Sequence, residues 1–244
     1  MLDEQLRGDP PDEFTSAPEN LTLRDDQARA IDDILAPSRL EGAPHVRKDA
    51  KLLFTQFILA AAGREADAGV SRATNKARVT EYLELFGLDF ADSSGIPYAF
   101  CAAGLGWAAC EGYCEMDPKT AFGEPPTTVF RGVASAIKSF YFLPHPSCIK
   151  MVDDAKARGN WIRDLTTPPL PGWIVFYNWA GGAAAEHVGI VETASATTLR
   201  TVEFNTSVVV HGDQRNGGVV ARKNRDSARR FVIGYIATHS QPQA

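Results

Sequence analysis

Only four cysteines occur in 244 residues. That is too few for a disulfide framework in a chain of this length, so synthesis in a reducing cytosol is the expectation. No run of about 18 apolar residues is present, and a membrane span is not expected. A basic excess is missing too: 25 Lys and Arg stand against 30 Asp and Glu, for a net charge of −5. Binding a phosphate backbone calls for the opposite sign, which argues against nucleic acid as a partner. The opening residues, MLDEQLRGDPPDEF, are acidic and polar and do not read as a Sec-type signal peptide. Neither repeats nor low-complexity tracts occur. What remains, 44% hydrophobic and 23% charged, is the composition of a globular chain able to bury a core without staples.

The charge is unevenly spread. Residues 1–35 hold ten acids against three bases, a net −7, which leaves the remainder at +2. We read residues 1–46 as an acidic arm with one short helix, in which Ala28, Ile31, Ile34 and Leu35 fall at helical spacing. The arm is either a solvated tail or a docking segment for a partner.

From there the pattern is helical. Lys48–Ala62 carries an apolar stripe of Leu52, Leu53, Phe57, Ile58 and Ala61. Lys76–Phe86 places Val79, Tyr82, Leu83 and Phe86 on one side, with Gly87 as a stop. Phe100–Cys114 is small, apolar and helix-compatible. Asp117–Pro171 is mixed. Beyond it the period changes to that of strands, at Trp173–Tyr177, His187–Thr193, Leu199–Asn205, Val219–Ala221 and Phe231–Thr238. Helices first and closely linked strands second predict an α+β fold, with one antiparallel sheet over 173–238 and the Cys101 helix packed on it.

Three segments could carry chemistry. Cys101 follows the turn-rich lead Ser93–Phe100 and opens a helix, where unpaired amide groups and the dipole favour a thiolate. His187 opens a strand directly after the Gly/Ala run 181–185. In Thr201-Val202-Glu203-Phe204-Asn205-Thr206, strand alternation puts Glu203 and Asn205 on one face, where either could fix the imidazole of His187. Each has an ordinary structural explanation when taken alone. Together, in the order Cys, His, Glu/Asn, they supply the nucleophile, base and orienting group of thiol acyl transfer. Cys110, Cys114, Cys148 and His145 could be drawn as a zinc site, but their spacing fits no zinc pattern.

The segments resemble the CHAP amidase/peptidase family, within the NlpC/P60-like, papain-like superfamily of cysteine hydrolases. Tyr98–Ala102 is similar to its aromatic-Cys-Ala start, and Pro171–Phe176 to its Pro-Gly-Asp-Ile-Val-Phe strand. His187–Glu192 matches its His-Val-Gly-Ile-Val-Glu strand, and Glu203–Ser207 resembles Glu-Gly-Asn-Thr-Ser. Val219–Arg222 and Val232–Ile236 resemble the closing hairpin. Trp173 stands where the family has Asp, and Phe204 where it has Gly. The likeness runs from about residue 50 to 238, within a catalytic domain at 47–240 that carries an inserted segment at about 112–171. Phe140-Tyr141-Phe142 and Pro144 of that segment could form a specificity flap.

The resemblance implies a papain-like core and a hydrolase of peptidoglycan peptides or of the muramoyl–alanine amide. Cys101 would attack, His187 would act as base and then acid, Glu203 would orient His187, and Asn205 would support it. Tyr98 would help hold the oxyanion, Trp173 would contact substrate, and neither metal nor cofactor is implied. Such a protein, made in the cytoplasm, would reach the wall by phage release or a secretion apparatus, with a delivery or immunity protein as a partner. The alternatives are a catalytically inactive papain-like module binding wall fragments or a protein, and an acyltransferase or deamidase using the same thiol.

Overall fold

The computed structural model describes residues 48–117, 126–209, 212–226 and 229–239. The expected acidic arm and its helix lie outside the described residues. Among the described residues five helices come first, α1 (Lys48–Asp67), α2 (Lys76–Glu84), α3 (Cys101–Met116), α4 (Pro126–Phe140) and α5 (Cys148–Arg158). Six strands follow, β1 (Trp161–Ile162), β2 (Ile174–Tyr177), β3 (His187–Ala194), β4 (Leu199–Thr206), β5 (Val219–Asn224) and β6 (Val232–Ile236). They form one sheet in the order β1-β6-β2-β3-β4-β5, antiparallel at every pairing. The fold is therefore α+β. Among the described residues no helix is long and apolar enough to cross a membrane.

The first ten residues of α3, Cys101–Cys110, are apolar or small on all sides, and such a stretch belongs inside. All ten are buried. One side meets α1, where Gly112 lies against the Phe57–Ile58 backbone so closely that a Cβ would collide at 2.8 Å. The other side meets the sheet, where Gly104 leaves room for the Phe204 ring. Phe204 is boxed in by Tyr82 of α2, edge to face at 5.4 Å. The bulky residue at 204 is thus absorbed by a small one on the helix rather than pushed into a cleft.

Strand alternation divides the sheet cleanly. Ile174, Phe176, Val188, Ile190, Val202 and Phe204 join the helical core. Val175, Tyr177, Val191, Leu199, Val232 and Tyr235 form a second cluster on the opposite face. His187 and Glu203 share the parity of that second face.

Two expectations need correction. The buried stripe of α1 is phased on Phe54, Ile58, Ala61 and Ala62, whereas Leu52 and Leu53 are exposed. The segment after α3 is no flap. It folds into α4, α5 and the edge strand β1, and Tyr141, Phe142 and Leu143 are core residues. The Tyr141 hydroxyl meets Thr55 Oγ1 at 2.6 Å and donates to the Gly172 carbonyl at 3.2 Å, pinning this segment to both α1 and the sheet.

Candidate active site

Cys101 is the first residue of α3, and the helix has no side-chain cap on its amide groups. Those orphan donors and the dipole favour an anion there. His187 is the first residue of β3, in register with Tyr177, the last of β2. Its imidazole is fully buried. The ring lies 6.0 Å from that of Tyr177 and 6.2 Å from that of Trp179, and these two aromatics stack on one another at 4.9 Å.

Glu203 comes from β4. Its Oε2 accepts from His187 Nε2 at 2.9 Å. That bond takes one imidazole nitrogen and leaves Nδ1, which is buried without a hydrogen-bond partner. Gly189 makes the reach possible. It sits two residues beyond His187 on the same strand face, and a Cβ there would lie 2.7 Å from Glu203 Cγ. In His187-Val188-Gly189, then, the glycine is the gap through which the carboxylate reaches the histidine.

The carboxylate is held from its other flank as well. Thr201 Oγ1 donates to Oε1 at 2.6 Å, and Arg225 donates through Nε to Oε1 at 2.8 Å and through Nη2 to Oε2. Arg225 also reaches Gln214 and Thr206, and its guanidinium lies over the rings of Trp179 and Tyr177, at 4.9 and 5.5 Å. Burial would push the Glu203 carboxyl up, but Arg225 and His187 outweigh it and hold it well below the usual carboxylate range.

The thiol and imidazole shift each other. The Cys101 thiol is held well below its ordinary value, first by a hydrogen bond from Cys148, against the effect of burial, and further by His187 and the Ala102 amide. Cys148 Sγ lies 3.8 Å from Cys101 Sγ. Burial lowers the pKa of His187, but Cys101 and Glu203 overcome it and push it up to about 9. A thiolate beside an imidazolium is the form these shifts favour.

The structure brings together Cys101, His187 and Glu203 of the residues singled out in the sequence, and it places two others elsewhere. Asn205 does not support His187. Its backbone turns to φ 58°, and the β4–β5 register shifts between Glu203 and Thr206. The alternation that paired it with Glu203 therefore breaks. Its side chain accepts from Arg72 Nη2 at 2.8 Å and donates to Asn216 Oδ1 at 3.0 Å and to the Arg215 carbonyl. Arg72 in turn binds the Tyr98 carbonyl at 3.2 Å and lies over the Phe100 ring. Asn205 thus helps anchor the segment leading into Cys101.

Trp173 also falls outside the site. It precedes β2 at the end opposite Tyr177, packs near Tyr235, and donates Nε1–H to the His239 carbonyl at 2.9 Å. The length of β2, on the order of 13 Å, separates it from His187. Tyr98 stands three residues before Cys101, half-buried against the core. Arg225 had no signal of its own in the sequence, and Cys148 was weighed there only as part of a zinc site that its spacing does not fit. Among the described residues no group of three or more His, Cys, Asp or Glu is placed to hold a metal ion.

Comparison with known proteins adds little. No family model matches the chain, and no curated protein matches it. One solved structure, described as the crystal structure of Ly7917, aligns at 20% identity and a TM-score of 0.30. The alignment covers 66% of this chain and 62% of that one. A likeness that weak fixes neither fold family nor function.

Proposed function

We propose that this chain is a papain-like cysteine hydrolase that cleaves amide bonds in bacterial peptidoglycan, in the peptide stem or cross-link or at the muramoyl–alanine bond. The observation that carries the reaction type is the buried relay in which Glu203 fixes His187 through Nε2 and leaves Nδ1 for the thiol beside it. The substrate class rests on the resemblance of His187–Glu192 and Glu203–Ser207 to the CHAP family.

Cys101 Sγ attacks the amide carbonyl, forming a C–S bond. The tetrahedral oxyanion is held by the Cys101 backbone amide at the uncapped start of α3, with the Tyr98 hydroxyl as a second donor. The His187 imidazolium then gives its proton to the departing amine as the C–N bond breaks. Water, deprotonated by the same imidazole, releases the acyl group from sulfur. Glu203 keeps the ring oriented and its positive charge compensated throughout. The protein would be made in the cytoplasm and meet the wall after phage release or secretion, with a delivery or immunity protein as its partner.

A module that only binds wall fragments has no use for a buried thiol, imidazole and carboxylate in this order. The deciding experiment is digestion of purified sacculi, with mass spectrometry of the soluble fragments. New amine and carboxyl termini at a defined peptide bond, absent with Cys101→Ala, are expected. Fragments that persist with Cys101→Ala would overturn the assignment of the nucleophile. Sacculi left intact, although Cys101 alkylates rapidly, would overturn the substrate.

A further inference from the structure

Cys148 is a buried nucleophile that the proposed hydrolysis does not use. It opens α5, capped by Ser147, whose side chain accepts from the Lys150 amide. The N-termini of α3 and α5 therefore converge with a thiol at each, and the two sulfurs lie 3.8 Å apart. A disulfide needs about 2.05 Å. The remaining closure is under 2 Å by that measure, within the reach of a side-chain rotation and a small shift of α5. Both residues are buried, though not completely: Cys101 is 5% exposed and Cys148 7%. Cys110, by contrast, is 0% exposed and lies against the Phe130 carbonyl.

We propose that Cys148 is the resolving thiol of Cys101, so that peroxide converts the pair to a Cys101–Cys148 disulfide and closes the site reversibly. In the first step the Cys101 thiolate attacks a peroxide oxygen. The O–O bond breaks, sulfur is oxidised to the sulfenic acid, and hydroxide leaves and is protonated to water. In the second step Cys148 attacks the Cys101 sulfur. The S–O bond breaks, and the leaving hydroxide departs as water with the Cys148 proton. In sum, two thiols and one hydrogen peroxide give one disulfide and two waters. A dithiol reverses it. Without a neighbour at this distance, a thiolate sulfur would run on to the irreversible sulfinic acid.

The inference concerns the sulfur proposed as nucleophile, but its test reads covalent state rather than peptidoglycan cleavage. The full chain is treated with hydrogen peroxide and mapped by non-reducing peptide mass spectrometry. The expected result is a loss of two hydrogens and one linked peptide pair containing Cys101 and Cys148, with Cys110 and Cys114 unmodified. Labelling of Cys101 by iodoacetamide should be lost after peroxide and restored by dithiothreitol. Cys148→Ser should convert the outcome to a Cys101 sulfinic acid that dithiothreitol does not restore. Should that variant fail to fold, the wild-type map decides alone. A wild-type map with Cys101 as sulfinic acid and Cys148 free, a disulfide to another cysteine, or both thiols unreacted would overturn the proposal.

Discussion

Arg225 grips both oxygens of Glu203, and one of those oxygens also accepts from His187. The cluster therefore alternates in sign, from guanidinium to carboxylate to imidazolium to thiolate, and sums to zero. A thiolate–imidazolium–carboxylate set alone would bury a net negative charge, which is costly in a low-dielectric site. Arg225 removes that excess.

Its removal should cost accordingly. The Arg225 side chain is 5% exposed and that of Glu203 is fully buried. Arg225→Met leaves the carboxylate short of its strongest partner, and breaking a buried pair in this way costs about 3–5 kcal/mol. Arg225→Lys should recover only part, because an ammonium cannot bind both oxygens as a fork. Urea denaturation of the three proteins measures this. A loss below about 1 kcal/mol for Arg225→Met, in the range of exposed pairs, would show that the cation is dispensable.

The titration of Cys101 should look unlike that of a free thiol. An ordinary thiol alkylates about tenfold faster per pH unit below its pKa, because the thiolate fraction rises. In this site the thiol is depressed well below its usual value of 9.0 and His187 is raised to about 9. Iodoacetamide should label Cys101 at a rate that changes little between pH 6.5 and 9. His187→Ala should move the onset upward, while Cys148 still supports the thiolate. Hydrolysis should fall as pH rises through about 9, when the imidazolium loses the proton destined for the amine. A labelling rate that climbs tenfold per unit through pH 8 would contradict the ion pair.

Stability follows the same shifts. A raised histidine stabilises the fold fully below 6.5, and that contribution is lost as pH rises through about 9. A depressed thiol stabilises it fully above 9.0, and that contribution is lost as pH falls through its lowered value. Between 6.5 and 9 the two cancel, because folded thiolate–imidazolium and unfolded thiol–imidazole hold the same protons. Below 6.5 the unfolded imidazole gains a proton that the folded site already carries, so stability falls. The wild-type unfolding midpoint should stay level between pH 6.5 and 9 as far as this pair governs it, and its advantage over Cys101→Ser should shrink as pH falls below 6.5.

The order of elements and the sheet were legible because their signals are local. The strands are short, rich in Val, Ile and Thr, and bounded by Gly, Asn or Ser. Within Asp117–Pro171 the signals were present but faint. Helix α5 has a Ser147 cap, basic residues in its last turn and Gly159 beyond it, while its buried residues are only Cys148, Met151, Val152 and Ala155. Cys101, His187 and Glu203 could be picked out because each opens or lines an element in a recognisable context. Arg225 could not. It follows Lys223 and Asn224 in what reads as a polar turn, and its partner is 22 residues away. Asn205 was misplaced because alternation assumes a regular strand, and a single residue at φ 58° ends that regularity.

Gly189 offers a test of how tightly the relay is built. A methyl group at this position would lie 2.7 Å from Glu203 Cγ and 3.3 Å from the Val202 carbonyl. The carboxylate cannot retreat, since Arg225 and Thr201 hold it. Gly189→Ala should therefore cost about 1–3 kcal/mol, as overpacking does, and should lengthen the His187–Glu203 bond. Cys101 labelling at pH 6.5 should slow. An alanine variant with unchanged stability and labelling would mean that Glu203 has room the close approach does not indicate.

Glu203 and Asn205 can now be told apart as orienters of His187. Glu203 bonds to the imidazole, whereas Asn205 binds Arg72 and Asn216 and steadies the approach to Cys101. Glu203→Gln keeps the shape but removes the charge that stabilises the imidazolium, and it sets an amide group against Arg225. The expected loss in kcat is at least ~10-fold, the low end for a group of this kind, with KM little changed and the alkaline limb of the pH profile moved to lower pH. Asn205→Ala should cost less in kcat and leave the pH profile in place, because His187 keeps its partner. Its effect should appear instead as a lower melting temperature and a higher KM, through a loosened Tyr98–Cys101 segment. Side-by-side kinetics of the two variants decide the matter: a larger kcat loss and a displaced pH profile in Asn205→Ala would transfer the orienting role to the amide.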